Sequence, residues 1–172
     1  MAKAWGDAGL SVAEKVADGW NGLMGRIRHP DALNVTSGAS GDFGALERRK
    51  HVLVVTFRRS GEPVPTPVWA GVAGGNVYFR SEKRVGKIKR IRATPRVLVA
   101  PCDSRGKPLG EAVEGRARIL PAAEESKAEA AIQSNFGLGR RMYEGVAMNM
   151  GPEGVYVEVT PAEGQNQPQE GV

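Results

Sequence analysis

The sequence feature that most constrains the fold is a run of alternating prolines, Pro63, Pro65 and Pro67, inside a strongly β-forming region. Proline has no backbone N–H and cannot donate to a central sheet ladder, so it is confined to strand edges and strand entrances. We therefore expect an extended segment here that lacks amide donors along one edge. Such an edge leaves room for a ligand to lie where a neighbouring strand would otherwise pair.

Short β-forming segments recur along the chain on both sides of this run. Each is rich in β-branched or aromatic residues and is bounded by glycine, proline or polar turn residues, which is typical of strands. The predicted strands are His51 to Arg58, Val68 to Val72, Asn76 to Ser81, Arg96 to Pro101, Glu111 to Leu120 and Val155 to Thr160. About six strands with few helices predict an α+β chain that is mainly β, folded as a small closed or split antiparallel barrel.

Four segments of the chain carry helical signals. Apolar residues recur at spacings of three and four between Ala8 and Ile27, which indicates an N-terminal amphipathic helix. A short basic helix with an apolar underside is expected from Arg84 to Arg92. Asp42 is placed to cap a short helix through Arg49, and Pro121 is placed to begin a helix through Asn135.

These elements divide the chain into three parts. Residues 1–41 contain the amphipathic helix and a linker, residues 42–160 form the barrel, and residues 161–172 form a polar tail that we expect to be disordered. Gly19, Gly22 and Gly25 weaken the N-terminal helix, which therefore needs a surface to lie on. That surface is its own barrel or a partner subunit, or else a membrane that the helix contacts peripherally through its basic residues.

The composition is that of an intracellular protein with anionic partners. A net charge of +5 and a pI of about 9.6 favour nucleic acid, phospholipid or phosphorylated small molecules. The single cysteine, Cys102, excludes an internal disulfide, and no apolar run reaches the roughly 20 residues of a membrane span. We therefore predict a cytoplasmic protein. The basic segment KIKRIR has no interleaved aromatic residues, which argues against nucleic acid.

One stretch of the sequence has the residues of a phosphate site. Lys87 begins the basic helix soon after a predicted strand, so Arg80, Ser81, the first helix amides and Lys87 can converge on one anion. The alternative is that the basic residues form a solvated helix face. Neither histidine lies in a nucleophile motif or at metal-ligand spacing, so the catalytic residues stay unknown and no metal is expected. A bound redox cofactor is then the natural source of reactivity.

Three segments carry a family resemblance, TFRRSGEPVPTPVWAGVAGGNVYFRS, GKIKRIRATPRV and VAPCDSRGKPLG. In this order they resemble the flavin/deazaflavin oxidoreductase superfamily, whose split β-barrel includes pyridoxamine 5′-phosphate oxidase. The similarity covers residues 46–159 and is greatest for the F420-dependent branch. It implies an FMN-binding type of split barrel with peripheral helices, the cofactor F420 or alternatively FMN, and a homodimer with the cofactor in a groove between two subunits.

The resemblance also implies which residues bind the cofactor. The proline-rich segment would run along the ring system, residues 78–81 would flank the ring and ribityl chain, and the start of the basic helix would meet the phosphate. The implied cofactor-binding residues are Pro65, Thr66, Pro67, Val68, Trp69, Arg80, Ser81, Val85, Gly86 and Lys87. The candidates for binding the polyglutamate tail of F420 are Arg58, Arg59, Lys83, Arg84 and Lys89.

Two departures from the pyridoxamine oxidase branch narrow the implied function. Thr66 stands where that branch has an arginine for the flavin phosphate, and no Arg or His follows Gly151 to form its pyridoxal phosphate signature. Oxidation of vitamin B6 is therefore not expected. The resemblance implies an oxidoreductase that transfers hydride between reduced F420 and an unsaturated small molecule. The alternatives are an FMN- or haem-binding reductase on the same barrel and a non-catalytic F420-binding or carrier module.

Overall fold

Six strands account for much of the described chain, which comprises residues 29–136 and 154–162 of a computed structural model. The strands are β1 (His51–Phe57), β2 (Pro63–Ala73), β3 (Asn76–Glu82), β4 (Arg96–Pro101), β5 (Val113–Ile119) and β6 (Gly154–Pro161). The helices are α1 (Gly86–Ala93) and α2 (Glu125–Phe136), with short 3-10 helices at Pro30–Asn34, Gly44–Leu46 and Ala122–Glu124. The predicted N-terminal helix and all but the first two residues of the predicted tail lie outside the described residues.

The strands close into a barrel in the order β1-β2-β3-β6-β5-β4, and every neighbouring pair is antiparallel. The mainly β fold and the barrel predicted from the sequence are therefore confirmed. Because side chains alternate across a strand, the pairs Val52 with Val68 and Val54 with Thr66 share the interior face. Buried aliphatic residues and Phe79 fill this interior.

Two further apolar clusters cover the outside of the barrel. One lies on β1 and β4, where Leu53, Leu98 and Cys102 pack with Ala32 from the first 3-10 helix. The other lies under α2, where Tyr78 of β3 packs against Ala131 and Ile132. Burial raises the pKa of the Cys102 thiol to about 12, as expected for a packed residue and not for a reactive thiol.

Residues 29–41, which the sequence suggested as a linker, lie against the barrel. Ala32 is fully buried, and Ala39 forms a parallel bridge to Val113 beside β5. The expected helix after Asp42 is only one 3-10 turn, although Asp42 does accept a hydrogen bond from the Gly44 amide at 2.8 Å. No helix in the described part of the chain is both long and apolar enough to cross a membrane.

The strand β2 is longer than the sequence predicts, because it includes the whole proline run. It pairs with β1 from Pro63 to Trp69, but with β3 only from Ala70 to Ala73. Its partner β3 continues beyond this pairing and forms ladder pairs with β6 as far as Glu82. The two strands therefore diverge at Ala70, and the first half of β2 has no β3 partner.

Candidate cofactor site

The gap between β2 and β3 is bordered by a backbone edge that offers few donors. The Ala70 amide donates to the carbonyl of Lys50 at 3.2 Å, so even-numbered amides of β2 face β1 and odd-numbered positions face the gap. Pro63, Pro65 and Pro67 occupy those odd positions. Their nitrogens leave no unsatisfied N–H in the gap, while their carbonyl groups are directed toward it. The edge is therefore rich in hydrogen-bond acceptors.

The start of α1 supplies donors instead. Val85 is the N-cap residue and its side chain cannot cap the helix, so the Gly86 and Lys87 amides have no hydrogen-bond partner in the described chain. Amides at a helix start also carry the positive end of the helix dipole, which favours an anion. Ile88 and Ile91 hold the helix by burying the opposite face in the barrel core.

Lys87 is the cation closest in sequence to these amides. Its ammonium lies 5.3 Å from the centre of the Phe79 ring, and no residue of the described chain forms a hydrogen bond or ion pair with it. Burial lowers the pKa of Lys87 to about 8, and the positive charge of Arg90 adds to this effect while Glu82 opposes it. A partly buried cation without a counter-ion is unfavourable until an anion binds beside it.

Arg90 lies one helical turn after Gly86 and is turned back toward the helix start. Its Nε donates to Thr56 Oγ1 at 2.7 Å, and the Thr56 hydroxyl is directed at the Val64 carbonyl 3.4 Å away. Sequence reasoning did not assign Arg90 to the site. The available signal was its spacing of four residues from a glycine at the first helical position, which places both on one helix face.

The predicted residues of β3 do not all reach the same side. Arg80 is on the outer face, where its guanidinium carbon lies 5.8 Å from the Tyr156 ring centre. Ser81 has the same parity as Phe79 and so shares the face over which Lys87 lies. The structure brings Ser81 and Lys87 to one side of β3 but leaves Arg80 on the other.

The predicted ring-binding residues of β2 are also divided between two faces. Thr66 and Val68 share the barrel interior, whereas Pro65, Pro67 and Trp69 are on the outside. Trp69 is 38% exposed and stacks on Phe136 of α2, with ring centres 5.0 Å apart. One face of the indole is therefore already covered by the protein.

A second group of charges, beneath α2, is paired within the chain. The buried carboxylate of Glu158 accepts hydrogen bonds from Tyr78 at 2.6 Å and Arg118 at 2.8 Å, and lies 2.8 Å from Lys127 Nζ. Burial alone would raise the pKa of Glu158, but the hydrogen bonds from Lys127, Tyr78 and Arg118 outweigh it and hold the pKa at about 2. Lys127 and Arg118 are themselves about half exposed and reach this buried carboxylate from the surface, and Arg118 also pairs with the exposed Glu124.

Solved structures place the barrel in the split-barrel class of folds. A FAD-binding protein from Mesorhizobium loti is 19% identical, with a TM-score of 0.50 over 69% of this chain and 83% of that chain. The heme storage protein HutZ from Vibrio cholerae is 12% identical, with a TM-score of 0.51 over 67% and 84%. An F420 reductase is 19% identical, with a TM-score of 0.46 over 72% and 95%. The first two likenesses show a shared fold.

The family follows from the sequence match. Residues 43–167 match the family model described as pyridoxamine 5′-phosphate oxidase, a span of well over half of the chain. This protein therefore belongs to the pyridoxamine 5′-phosphate oxidase family. Comparison with curated proteins finds no match.

Proposed function

We propose that this protein binds F420 and transfers hydride between the reduced deazaflavin and an unsaturated small-molecule substrate. The observation that carries the proposal is Lys87, a partly buried ammonium beside uncapped helix amides with no ion-pair partner in the described chain. Such an arrangement favours a phosphate from outside the chain. Membership in a family of oxidoreductases supports a redox cofactor as the molecule that carries this phosphate.

The open edge of β2 suits the ring system of the same cofactor. The carbonyl groups of Pro63, Pro65 and Pro67 can accept hydrogen bonds from the ring N–H that flavins and deazaflavins share. A bound deazaflavin supplies hydride chemistry and needs no protein base at the ring. The contribution of the chain is then to hold the ring along β2 and the phosphate at α1, so that the reacting face is correctly placed.

The charge around α1 supports F420 over FMN. Arg84 and Lys89 are exposed beside the start of the helix, where they can attract the polyglutamate tail that FMN lacks. Arg58 is less available, because it pairs with Glu62 at 3.0 Å. Each exposed cation contributes roughly 0.5 to 1 kcal/mol at most, so the tail adds selectivity and the phosphate site supplies more of the affinity.

Fluorescence titration with purified F420 tests the proposal. We expect saturable binding, and we expect Lys87→Ala to weaken it by roughly 1 to 3 kcal/mol because a charge-assisted contact to phosphate is lost. Lys107→Ala is the matched control, since Lys107 is exposed in the β4–β5 connection and loses the same charge. The absence of saturable F420 binding up to the high micromolar range by the wild-type protein would exclude the function.

Parallel measurements separate the alternatives. Saturable binding of FMN with none of F420 would favour a flavin reductase, and a Soret band after addition of haem would favour a haem protein. Binding of F420 without oxidation of reduced F420 by a panel of activated alkenes and imines would favour the carrier module. Native mass spectrometry of the same samples measures whether two chains assemble with the cofactor, as the proposed homodimer requires.

A further inference from the structure

We propose that Asn135, in the last turn of α2, is a positioning residue for the ring system of the bound cofactor. Its role is to hold α2 against β2 at Ala70, the residue where the open half of β2 begins. This inference rests on the proposed function and deepens it, because it adds to the candidate site a helix that the family resemblance did not connect with the cofactor.

One side-chain amide joins α2 to two separate segments of the barrel. Asn135 Nδ2 donates to the carbonyl oxygen of Ala70 at 2.8 Å and to that of Arg49, just before β1, at 2.7 Å. An asparagine amide has two N–H groups, so it can satisfy both acceptors. The Ala70 amide donates to Lys50, but a return bond from the Lys50 amide is absent from the described chain. The Asn135 side chain therefore takes the place of the missing ladder bond.

The residues on either side of Ala70 also lie against the end of α2. A Cβ at Gly71 would lie 2.1 Å from the Ala131 carbonyl oxygen, so the backbones of α2 and β2 are in direct contact there. On the other side, the Trp69 ring stacks on Phe136, with ring centres 5.0 Å apart and planes inclined by 23°. The end of α2 thus holds three consecutive residues of β2 through packing, hydrogen bonding and ring stacking.

These contacts matter for the cofactor because of how β2 is supported. Within the described chain, β2 pairs only with β1 from Pro63 to Trp69, so β3 does not fix the position of this half. Trp69 is the last residue of the half, and its indole is in contact with Phe136 on one face and with His51 in an edge arrangement at 6.1 Å. If the last turn of α2 moves, the indole and the carbonyl edge beside it move as well.

The last turn of α2 is held separately from its first turn. Lys127 attaches the first turn to Glu158 at 2.8 Å, and lies about 12 Å before Asn135 along the helix axis. The two ends of α2 therefore have different partners on the barrel. The Asn135 contacts can be removed while the Glu158 network stays, so their loss acts on β2 locally.

The test compares ligands with and without the phosphate. F420 and the corresponding deazaflavin ribitol, which has no phosphate or tail, are titrated against wild-type protein, Asn135→Ala and Asn135→Asp. Asn135→Asp keeps the shape of the side chain but removes both donors. We expect each variant to weaken binding of both ligands by the same factor, about 5- to 30-fold, because the two ligands share the ring. Lys87→Ala, in contrast, should weaken binding of F420 alone.

A fluorescence measurement separates positioning from a general loss of stability. Trp5→Phe and Trp20→Phe leave Trp69 as the single tryptophan of the full chain. In this background, and well below the unfolding temperature, Asn135→Ala should shift the Trp69 emission to longer wavelength and increase its quenching by acrylamide. The physical reason is that the indole loses its fixed support on α2.

Gln133→Ala is the matched control. It also removes an amide side chain from the end of α2, but the hydrogen bond that it loses, at 2.7 Å, is to Glu129 of the same helix. It should change neither the Trp69 emission nor the affinity for either ligand. Phe136→Leu is a second variant, which removes the stack on Trp69 and should weaken both ligands at least about threefold. It carries the test if thermal unfolding shows that the Asn135 variants are not folded.

The outcomes separate this inference from the proposed function. Equal affinities in Asn135→Ala and Gln133→Ala would overturn the role of Asn135 and leave the function standing, as would a loss confined to F420. Unchanged Trp69 fluorescence in Asn135→Ala would also overturn it, and decides if the phosphate-free compound binds too weakly to titrate. If the wild type binds FMN or haem instead of F420, that ligand enters the same comparison, since the position of a planar ring is still tested. Binding of none of the three contradicts both proposals.

Discussion

The two clusters of basic residues on this barrel differ in what neutralises them. Beneath α2, Arg118 and Lys127 share the buried carboxylate of Glu158, which also accepts a hydrogen bond from Tyr78. At the start of α1, Lys87 has no carboxylate within ion-pair distance in the described chain. Cations that share a buried carboxylate stabilise the fold, whereas a cation without one, as Lys87 is in the described chain, leaves its charge for a ligand.

The largest expected effect comes from removing the internal carboxylate. Glu158→Gln should lower the free energy of unfolding by about 2 to 3 kcal/mol, because Arg118 and Lys127 lose their shared anion. We place the loss at the low end for a buried pair because the two cations are 48% and 51% exposed. Urea unfolding measures the change. Glu114→Gln is the control, since its pair with Arg96 is more exposed and is worth about 0.5 to 1 kcal/mol.

The pKa of Glu158 predicts how the stability of the wild type and of Glu158→Gln depends on pH. The folded-state pKa of Glu158 is about 2, below its ordinary value of 4.5, so its stabilisation is present above about pH 4.5 and is lost as the pH falls toward 2. Stability of Glu158→Gln should therefore fall less than that of the wild type over this range. F420 affinity should not change. An altered affinity would show that the Glu158 network and the candidate phosphate site at α1 are coupled, and would contradict the comparison.

A smaller loss of stability is expected when either of two glycines is replaced by alanine, and its size depends on what the added Cβ meets. A Cβ at Gly71 would lie 2.1 Å from the Ala131 carbonyl oxygen, so Gly71→Ala must displace the backbone of α2 and should cost about 2 kcal/mol in urea unfolding. The equivalent change at Gly86 meets only the Arg90 side chain, which can move. Gly41→Ala is the control, because nothing lies within 4 Å of the added atom. Equal losses at Gly71 and Gly86 would contradict this contrast.

The smallest expected effect is a gain in stability when the charge of Lys87, which has no ion pair in the described chain, is removed. Lys87→Met should raise the free energy of unfolding at pH 7 by about 1 kcal/mol, since it removes a desolvated charge but also its contact with Phe79. Lys89→Met, at an exposed position of the same helix, is the control. A clear loss of stability in Lys87→Met would show that Lys87 is a structural cation, like Lys127.

The pH dependence of this gain has a defined sign. The pKa of Lys87 is about 8 in the folded protein and 10.5 in the unfolded chain. The charged lysine therefore destabilises the fold fully below pH 8, and this destabilisation disappears between pH 8 and 10.5. The difference between wild type and Lys87→Met should narrow over that interval. F420 affinity of the wild type should fall over the same interval, because the phosphate then meets a neutral amine.

Local sequence patterns predicted most of the elements of this fold. The six strands and the short basic helix follow from composition and periodicity, which act within a few residues. The boundaries were less accurate, since β2 begins at Pro63 and not at Val68. Its prolines are tolerated because their nitrogens face away from β1, a direction that depends on which strand is the neighbour.

The candidate site was only partly predictable for a related reason. Alternation along β3 shows that Arg80 and Ser81 are on opposite faces, but only the position of α1 decides which face Lys87 occupies. The direction of the Arg90 side chain depends on its hydrogen bond to Thr56, which is 34 residues earlier in the chain. No local pattern connects residues so far apart.

The sequence by itself thus determined where the chain is extended, where it is helical and which edge of β2 lacks donors. The tertiary structure alone decided which charges meet a partner. Glu158 reaches Tyr78 and Arg118 through strand register, although 80 and 40 residues separate them along the chain. The physical reason is that propensity and periodicity act over one strand or helical turn, whereas the neutralisation of a charge depends on groups that only the closed barrel brings together.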